Sequence, residues 1–399
     1  MTLTNSKPLK IAMVAACPFP LSRGTPVRIL RMSEAIANAG HDVHVITYHI
    51  GEGTPPESIT VHRIPPIHSY NRLQPGPSYQ KLLQVDFKLA VTLVKAIREQ
   101  AFDIMHAHHY EGLLVALLAN RTFKIPLVYD AHTLLETELY HYSLGLPKRF
   151  KRHIGKKFDH LLPVKADHII SVSDEIRSQL ININGIQEKN VSLVPGGIEL
   201  DHFNIPQASA LDFSGNLKLG FAGNFAEYQG IENMLRSFKI VLESRPNTSL
   251  QIISNSPFNK YEDLAVSLGI RDSICLLPSE YEFLPQSLAD ADILLNPRFE
   301  GAGYPLKLLN YMAAGKPIVT FSGSARGIEH GKNGWVIPGN DPQDFADGIL
   351  HLLSNPEKAH NLGINARKFV EKEFSWKNTA IKITSIYQNV IEEKSTNKL

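Results

Sequence analysis

Apolar runs four to seven residues long alternate with stretches whose apolar residues recur at helical spacing, and this alternation continues along most of the chain. Lys10 to Ala16 reads as a buried strand. A helix follows through Ile29, Met32, Ala35 and Ile36 to Gly40, and His41 to Thr47 is strand again. Further strand signals fall at Asp103 to His106, Leu127 to Asp130, His168 to Ser171 and Val191 to Val194. Only the proline- and glycine-rich segment Gly51 to Pro77 interrupts the pattern, and it reads as loop. A second alternation starts at Leu217 to Ala222, with a helix over Gly230 to Glu243 and strands at Ser249 to Ser254, Ile274 to Leu277, Asp292 to Asn296 and Ile318 to Phe321. Pro305 to Ala314 has helical spacing and Gly315 ends it. Alternation of this kind predicts parallel sheets wrapped by helices, an α/β protein. Polar and small residues replace the periodicity between Asn204 and Gly215. The division that follows is 1–204 and 205–375, each a doubly wound Rossmann-like domain. The segment 376–399 holds a helix, Trp376 to Ile391, that returns to the first domain, and then an unstructured tail from Glu392.

The totals agree with two domains. The chain of 399 residues is too long for one ordinary core. Its hydrophobic content of 43%, charged content of 20% and net charge of +2 describe a globular protein without the basic field that nucleic acid requires. Cys17 and Cys275 offer neither a disulfide framework nor a metal motif, which suggests a reducing, cytoplasmic setting. No apolar run approaches the roughly 20 residues needed to span a bilayer.

Candidate chemistry gathers after the strands, where open parallel sheets hold their ligands and helix N-termini attract anions. Past Asn296 come Arg298, Glu300, Gly301, Gly303, Lys307 and Asn310: two cations for a pyrophosphate, and groups that pair with sugar hydroxyls. A plain βαβ crossover with a solvated loop is the alternative. The loop Arg23-Gly24-Thr25-Pro26 after the first strand fits either a ligand-approaching turn or an empty one, and no GxGxxG follows that strand, which weakens a dinucleotide reading. His106, His108 and His109 follow another strand and His132 the next. Strand alternation sends His106 and His108 to one face and His109 elsewhere, and no second ligand pair is evident, so no metal is expected. The stretch 147–162 carries six basic residues in ten, with Phe150, Ile154, Phe158 and Leu161 on one stripe and Lys148, Arg149, Arg152 and Lys156 largely opposite. Either the stripe packs into its own domain, or the helix lies peripherally on an anionic membrane surface.

Several of these motifs, in order, resemble the retaining glycosyltransferases of family 4. Glu300-Gly301-Ala302-Gly303 fits the start of that family's donor motif, and Asn310-Tyr311-Met312-Ala313-Ala314-Gly315-Lys316-Pro317 fits its helix. Val194-Pro195-Gly196-Gly197-Ile198 and Gly331-Lys332-Asn333-Gly334-Trp335 resemble two further turns of the family. Asn310 stands where the family has its second glutamate, the loop is two residues longer, and Pro-Arg with Pro-Leu-Lys marks a subset that looks like this chain. Asn224 and Gln229 replace the usual arginine and lysine of the first loop in the second domain.

The resemblance implies the GT-B fold, two Rossmann-like domains facing a central cleft. It implies transfer of a hexose-type sugar, with retention, from a nucleotide diphosphate sugar to a hydroxyl of a glycan or lipid-linked acceptor, in glycolipid or surface polysaccharide synthesis, without a cofactor. His132, Arg298, Lys307 and Glu300 are then the catalytic candidates. Gly24, Gly223, Asn224, Gln229, Gly230, Gly301, Ala302, Gly303, Tyr304 and Asn310 would contact the donor. A nucleotide-sugar epimerase of the same fold and a non-catalytic partner subunit remain alternatives, the second because the basic pair and second glutamate are missing.

Overall fold

The computed structural model describes residues 7–21, 24–73, 76, 78, 80–141, 147–182, 185–204, 211–299 and 306–396. Two compact units emerge: Met1–Gly197 joined by Trp376–Leu399, and Ile198–Ser375.

In the first unit the strands are β1 (Lys10–Ala15), β2 (Asp42–Thr47), β3 (Thr60–Arg63), β4 (Ile104–His108), β5 (Leu127–Ala131), β6 (His168–Ser171) and β7 (Val191–Leu193). They pair in parallel in the order β3-β2-β1-β4-β5-β6-β7. The helices are α1 (Gly24–Asn38), α2 (Asp86–Glu99), α3 (His109–Phe123), α4 (Leu135–His141), α5 (Lys148–Leu161) and α6 (Asp174–Asn182). β1, β4 and β5 are buried almost throughout because helices cover both sheet faces.

The second unit contains β8 (Leu217–Ala222), β9 (Thr248–Ile253), β10 (Ile274–Leu277), β11 (Ile293–Asn296), β12 (Ile318–Phe321) and β13 (Trp335–Ile337), parallel in the order β10-β9-β8-β11-β12-β13. Its helices are α7 (Ile231–Ser244), α8 (Asn259–Ser267), α9 (Leu284–Ala289), α10 (Leu306–Ala313), α11 (Pro342–Leu353) and α12 (Pro356–Phe374). Strand order reverses between β1 and β4 in the first sheet and between β8 and β11 in the second, and such reversals open the crevice where α/β sheets bind ligands.

The last helix, α13 (Trp376–Thr396), belongs to the first unit. Ala380, Ile383, Tyr387 and Val390 enter a core shared with Ile29, Met32 and Ile36 of α1.

Three expectations need correction. The segment Gly51 to Pro77 is not all loop, because Thr60–Arg63 forms the edge strand β3 in register with His44 to Thr47. Prolines 55, 56, 65 and 66 hide it in the sequence, and prolines suit an edge. The tail from Glu392 stays helical through Thr396. Lys394 holds it, its Nζ lying 2.5 Å from Asp167 Oδ2 and 3.3 Å from the Ile125 carbonyl. Finally, α5 does not bury its aromatic stripe: Phe150 and Phe158 are exposed, while Lys151 and Gly155 face inward. Gly155 packs on the backbone of Glu136 with no room for a Cβ, and Asp159 accepts from the Leu135 and Glu136 N–H groups at 2.9 and 2.8 Å, capping α4.

Candidate functional site

The first mouth lies at the carboxyl ends of β1, β4 and β5. Gly24, with φ +58°, opens α1, and Thr25 Oγ1 stands 3.5 Å from His132 Nδ1. Beneath them Asp130 is fully buried and bidentate to Arg28, Nε to Oδ2 at 3.0 Å and Nη2 to Oδ1 at 3.3 Å. Arg28 Nη2 also donates to the Val194 carbonyl at 2.9 Å. Three imidazoles surround the same carboxylate: His108 Nδ1, His132 Nε2 and His106 Nε2 lie 3.5, 3.6 and 3.7 Å from Oδ2. His106 Nδ1 meets Tyr387 Oη of α13 at 2.5 Å.

Burial alone would raise the Asp130 carboxyl, but the Arg28 guanidinium, His132 and hydrogen bonds from His106 and His108 outweigh it and hold the group well below the usual carboxylate range. Burial pushes His132 well below the ordinary histidine range, with Arg28, His108 and His109 adding to it and Asp130 opposing, so the ring is neutral at physiological pH. Burial likewise lowers His108 to about 4.

His106, His108 and Asp130 bring one ligand atom each within 4.8 Å, a three-residue set that the sequence reading did not assemble because Asp130 sits on the next strand. Both Asp130 oxygens are engaged by Arg28, whose fixed positive charge opposes a second cation. The donor set does not fit a metal ion.

A cavity of about 300 Å³ opens beside this network; Leu21, Ile29, Tyr48 and Tyr70 give it a mainly apolar lining, and Thr25, His109, Thr133, Glu138 and a buried pair, Lys81 and Glu111 at 2.6 Å, place polar groups on it. His109 Nε2 and Thr133 Oγ1 reach Glu138 Oε2 at 2.9 and 2.5 Å. Sequence reading missed Lys81 and Glu111, since nothing local marks either as buried.

The second mouth forms at the ends of β8 and β11. Lys307, in the first turn of α10, donates from Nζ to Gln229 Oε1 at 2.5 Å and lies 4.3 Å from the Phe221 ring centroid. Gly223 follows β8, and a Cβ there would stand 3.2 Å from Lys307 Nζ, so glycine leaves the ammonium reachable. Asn224 Oδ1 accepts from the Ala226 N–H at 3.1 Å, which spends that side chain on its own turn. Gly230 takes φ +69° as it opens α7, against the Pro297 carbonyl.

Arg298 follows β11, its guanidinium 5.1 Å from the Tyr228 ring centroid. Buried Asn296 donates to Ser324 Oγ at 2.7 Å, and Ser324 Oγ donates to the Arg298 carbonyl at 2.7 Å, fixing the chain where it leaves the strand. Tyr311, one turn beyond Lys307, accepts from the Ala222 N–H at 2.7 Å and donates to the Leu295 carbonyl at 3.2 Å, tying α10 to both strands. Burial first, and then the Arg298 charge, push the Lys307 ammonium down to about 7. Asn310 is half-buried one turn further on. Glu300, Gly301, Ala302, Gly303 and Tyr304 lie outside the described residues.

The structure thus gathers Gly223, Gln229, Lys307 and Arg298 on the second unit, and Gly24 and His132 on the first. Among the described residues, no helix is long and apolar enough to cross a membrane.

Comparison with known proteins gives this arrangement a family. The profile described as Glycosyltransferase Family 4 matches residues 22–202, and that described as Glycosyl transferases group 1 matches residues 207–369. The chain is 25% identical to D-inositol 3-phosphate glycosyltransferase 2 of Catenulispora acidiphila, covering 98% of this chain and 97% of that protein. The crystal structure of Anabaena Alr3699/HepE with UDP superposes with a TM-score of 0.69 at 16% identity, covering 96% of this chain and 100% of that one. A glycosyltransferase from Rickettsia africae gives 0.71 at 14% identity, covering 97% and 99%. Two parallel Rossmann-like sheets, together with these two matches, make the chain a glycosyltransferase of the GT-B type, with a family 4 domain followed by a group 1 domain.

Proposed function

We propose that the protein transfers a hexose-type sugar from a nucleoside diphosphate sugar to an acceptor hydroxyl, with retention at the sugar carbon. Lys307 carries the reading: a lysine desolvated down to about 7, reachable past Gly223 and beside Arg298, is poised for an anion that restores its charge. The diphosphate would lie at Gly223, Arg298 and Lys307, with Gln229 giving up its hold on Nζ. The ribose would lie near Asn310, and the hexose near Glu300 and the backbone of 301–303. The D-inositol 3-phosphate glycosyltransferase and the UDP-bound HepE structure support a nucleotide-sugar donor.

A same-face displacement, in which the leaving diphosphate helps take the proton of the acceptor hydroxyl, demands charge stabilisation on the leaving group more than a protein nucleophile. Arg298 and Lys307 supply it without a metal. The acceptor occupies the 300 Å³ cavity of the first unit beside Gly24 and His132. Neutral His132 can hydrogen-bond a sugar hydroxyl, and the Asp130–Arg28 pair holds its ring in place. The basic exposed side of α5 and its exposed aromatics suit attachment to an anionic membrane surface, consistent with cytoplasmic action on glycolipid or surface glycan precursors.

Thermal-shift screening against UDP, GDP, ADP and their sugar conjugates tests the donor site, because a ligand of the native state alone raises its stability. One nucleotide should raise the melting temperature of the parent, and Lys307→Ala should reduce the shift. Absence of any shift in folded protein refutes the reading, and conversion of the nucleotide sugar without acceptor would replace transfer by epimerisation.

A further inference from the structure

Asn296 closes β11 after Ile293, Leu294 and Leu295, and it is as fully buried as they are. Both hydrogens of its amide are used: Nδ2 donates to Thr320 Oγ1 at 2.8 Å and to Ser324 Oγ at 2.7 Å. Oδ1 is buried without a partner. An unpaired buried carbonyl costs stability, and a leucine like its neighbours would avoid that cost, so packing alone does not account for an amide here. The place to which its hydrogens lead does. Ser324, 3% exposed, passes the contact on, its Oγ donating at 2.7 Å to the carbonyl of Arg298. The backbone just before is held as well, because Gly230, at φ +69°, lies so close to the Pro297 carbonyl that a Cβ would collide with it. Arg298 therefore leaves the strand with its root fixed on two sides, and its guanidinium stands 5.1 Å from the Tyr228 ring centroid. A long side chain loses rotamer freedom when it meets a ligand; anchored at its root, it has less to lose. Lys307 feels the result, since the Arg298 charge comes second only to burial in lowering its ammonium.

We propose that Asn296 and Ser324 are positioning residues for the donor diphosphate: through the Arg298 carbonyl they set the guanidinium beside Lys307, so that two cations meet the diphosphate together. This rests on the donor site of the transferase reading and adds to it two side chains too buried to touch a ligand. The rival role is to pin the strand end for stability alone, which would leave the charges at the mouth unchanged when the relay is cut.

Two measurements on the full chain separate these roles. In ligand-free protein with isotope-labelled lysine, an NMR titration follows Lys307, whose midpoint lies at about 7 in the parent. Arg298→Ala should raise that midpoint, Ser324→Ala should reproduce roughly half of the rise or more, and Ser324→Thr, which keeps the hydroxyl, should match the parent. An unchanged midpoint in Ser324→Ala or in Arg298→Ala overturns the proposal. Calorimetry with UDP, GDP and ADP at pH 6.5 then reads affinity: Ser324→Ala should weaken the nucleotide that binds by about tenfold, the lower end for losing a hydrogen bond to a charged group. Combined with Arg298→Ala it should add little, because both changes remove one interaction; losses that simply multiply would assign Ser324 to stability alone and overturn the proposal. Asn296→Leu should act in the same direction more weakly, and parent behaviour in that variant overturns the part given to Asn296. If the parent binds none of the three nucleotides while the Lys307 shifts persist, the transferase reading fails and the positioning of Arg298 stands.

Discussion

Lys307 makes donor affinity depend on pH in a calculable way. In the free protein its ammonium loses its proton at about 7, from burial and the neighbouring Arg298. A diphosphate beside it would restore the value toward the ordinary lysine range, so above pH 7 binding must first recover a proton. With Kd scaling as one plus ten to the power of pH minus 7, affinity should fall about fivefold from pH 7 to 8 and about fiftyfold from pH 7 to 9. The guanidinium of Arg298 stays charged throughout and adds no slope. Calorimetry of the intact nucleotide sugar at pH 6.5 to 9, in buffers of different ionisation enthalpy, reads both the affinity and the protons taken up, which should approach about 0.9 per site at pH 8. Lys307→Met should bind more weakly at pH 7, by roughly 1.5–3 kcal/mol, and lose the slope. Flat affinity in the parent, or an identical slope in Lys307→Met, refutes the assignment. Stability without ligand should move oppositely. The folded value lies below the unfolded one, so the unfolded chain binds more protons between about 7 and 10.5 and the folded protein gains stability as pH rises through that window.

Histidine burial gives a second pH signature in stability, of the same sign but in an acidic window. His108 titrates at about 4 when folded, against about 6.5 when unfolded, so stability should decline as pH falls between these values, by about 3 kcal/mol for this residue; urea midpoints that stay constant from pH 6.5 to 4 refute it. His132 ring nitrogen resonances should show no protonation between pH 6 and 8. Asp130→Asn should cost on the order of 3–5 kcal/mol because it strands a buried guanidinium, and adding Arg28→Met should recover part of the loss in chemical denaturation. Gly230→Ala should lower stability by more than about 1 kcal/mol, since alanine resists its φ and meets the Pro297 carbonyl. Neutralising Arg149, Arg152 and Lys156 should reduce sedimentation with anionic vesicles; equal sedimentation would leave α5 without a membrane role.

Legibility followed the physics of each element. β1 and β8 are largely apolar on both faces, and so announced themselves as parallel strands in linear order. β3 did not, because an edge strand needs only partial burial and prolines bracket it. Arg298 and Lys307 were readable as a pair because both follow the same strand. Partners across strands were not: Arg28 with Asp130, and Lys81 with Glu111, come from distant stretches, and a local pattern cannot say that a charge will be neutralised inside a core. In α5 the stripe was legible but its direction was not. The small size of Gly155, rather than the bulk of the phenylalanines, decides which side meets α4.

The return of α13 to the first unit has a consequence for how the polypeptide matures. Tyr387 caps His106, and Ile383 and Val390 fill the space beneath α1. A ribosome delivers these residues only after the whole of Ile198–Ser375 has emerged. Until then the amino-terminal sheet has an uncovered apolar flank and its buried histidines lack their hydroxyl partner. The second unit is contiguous in the chain and can complete itself first. Maturation would therefore run from the middle outward, and a fragment ending at Gly197 would expose the flank for good unless the helix Trp376–Thr396 were supplied in trans.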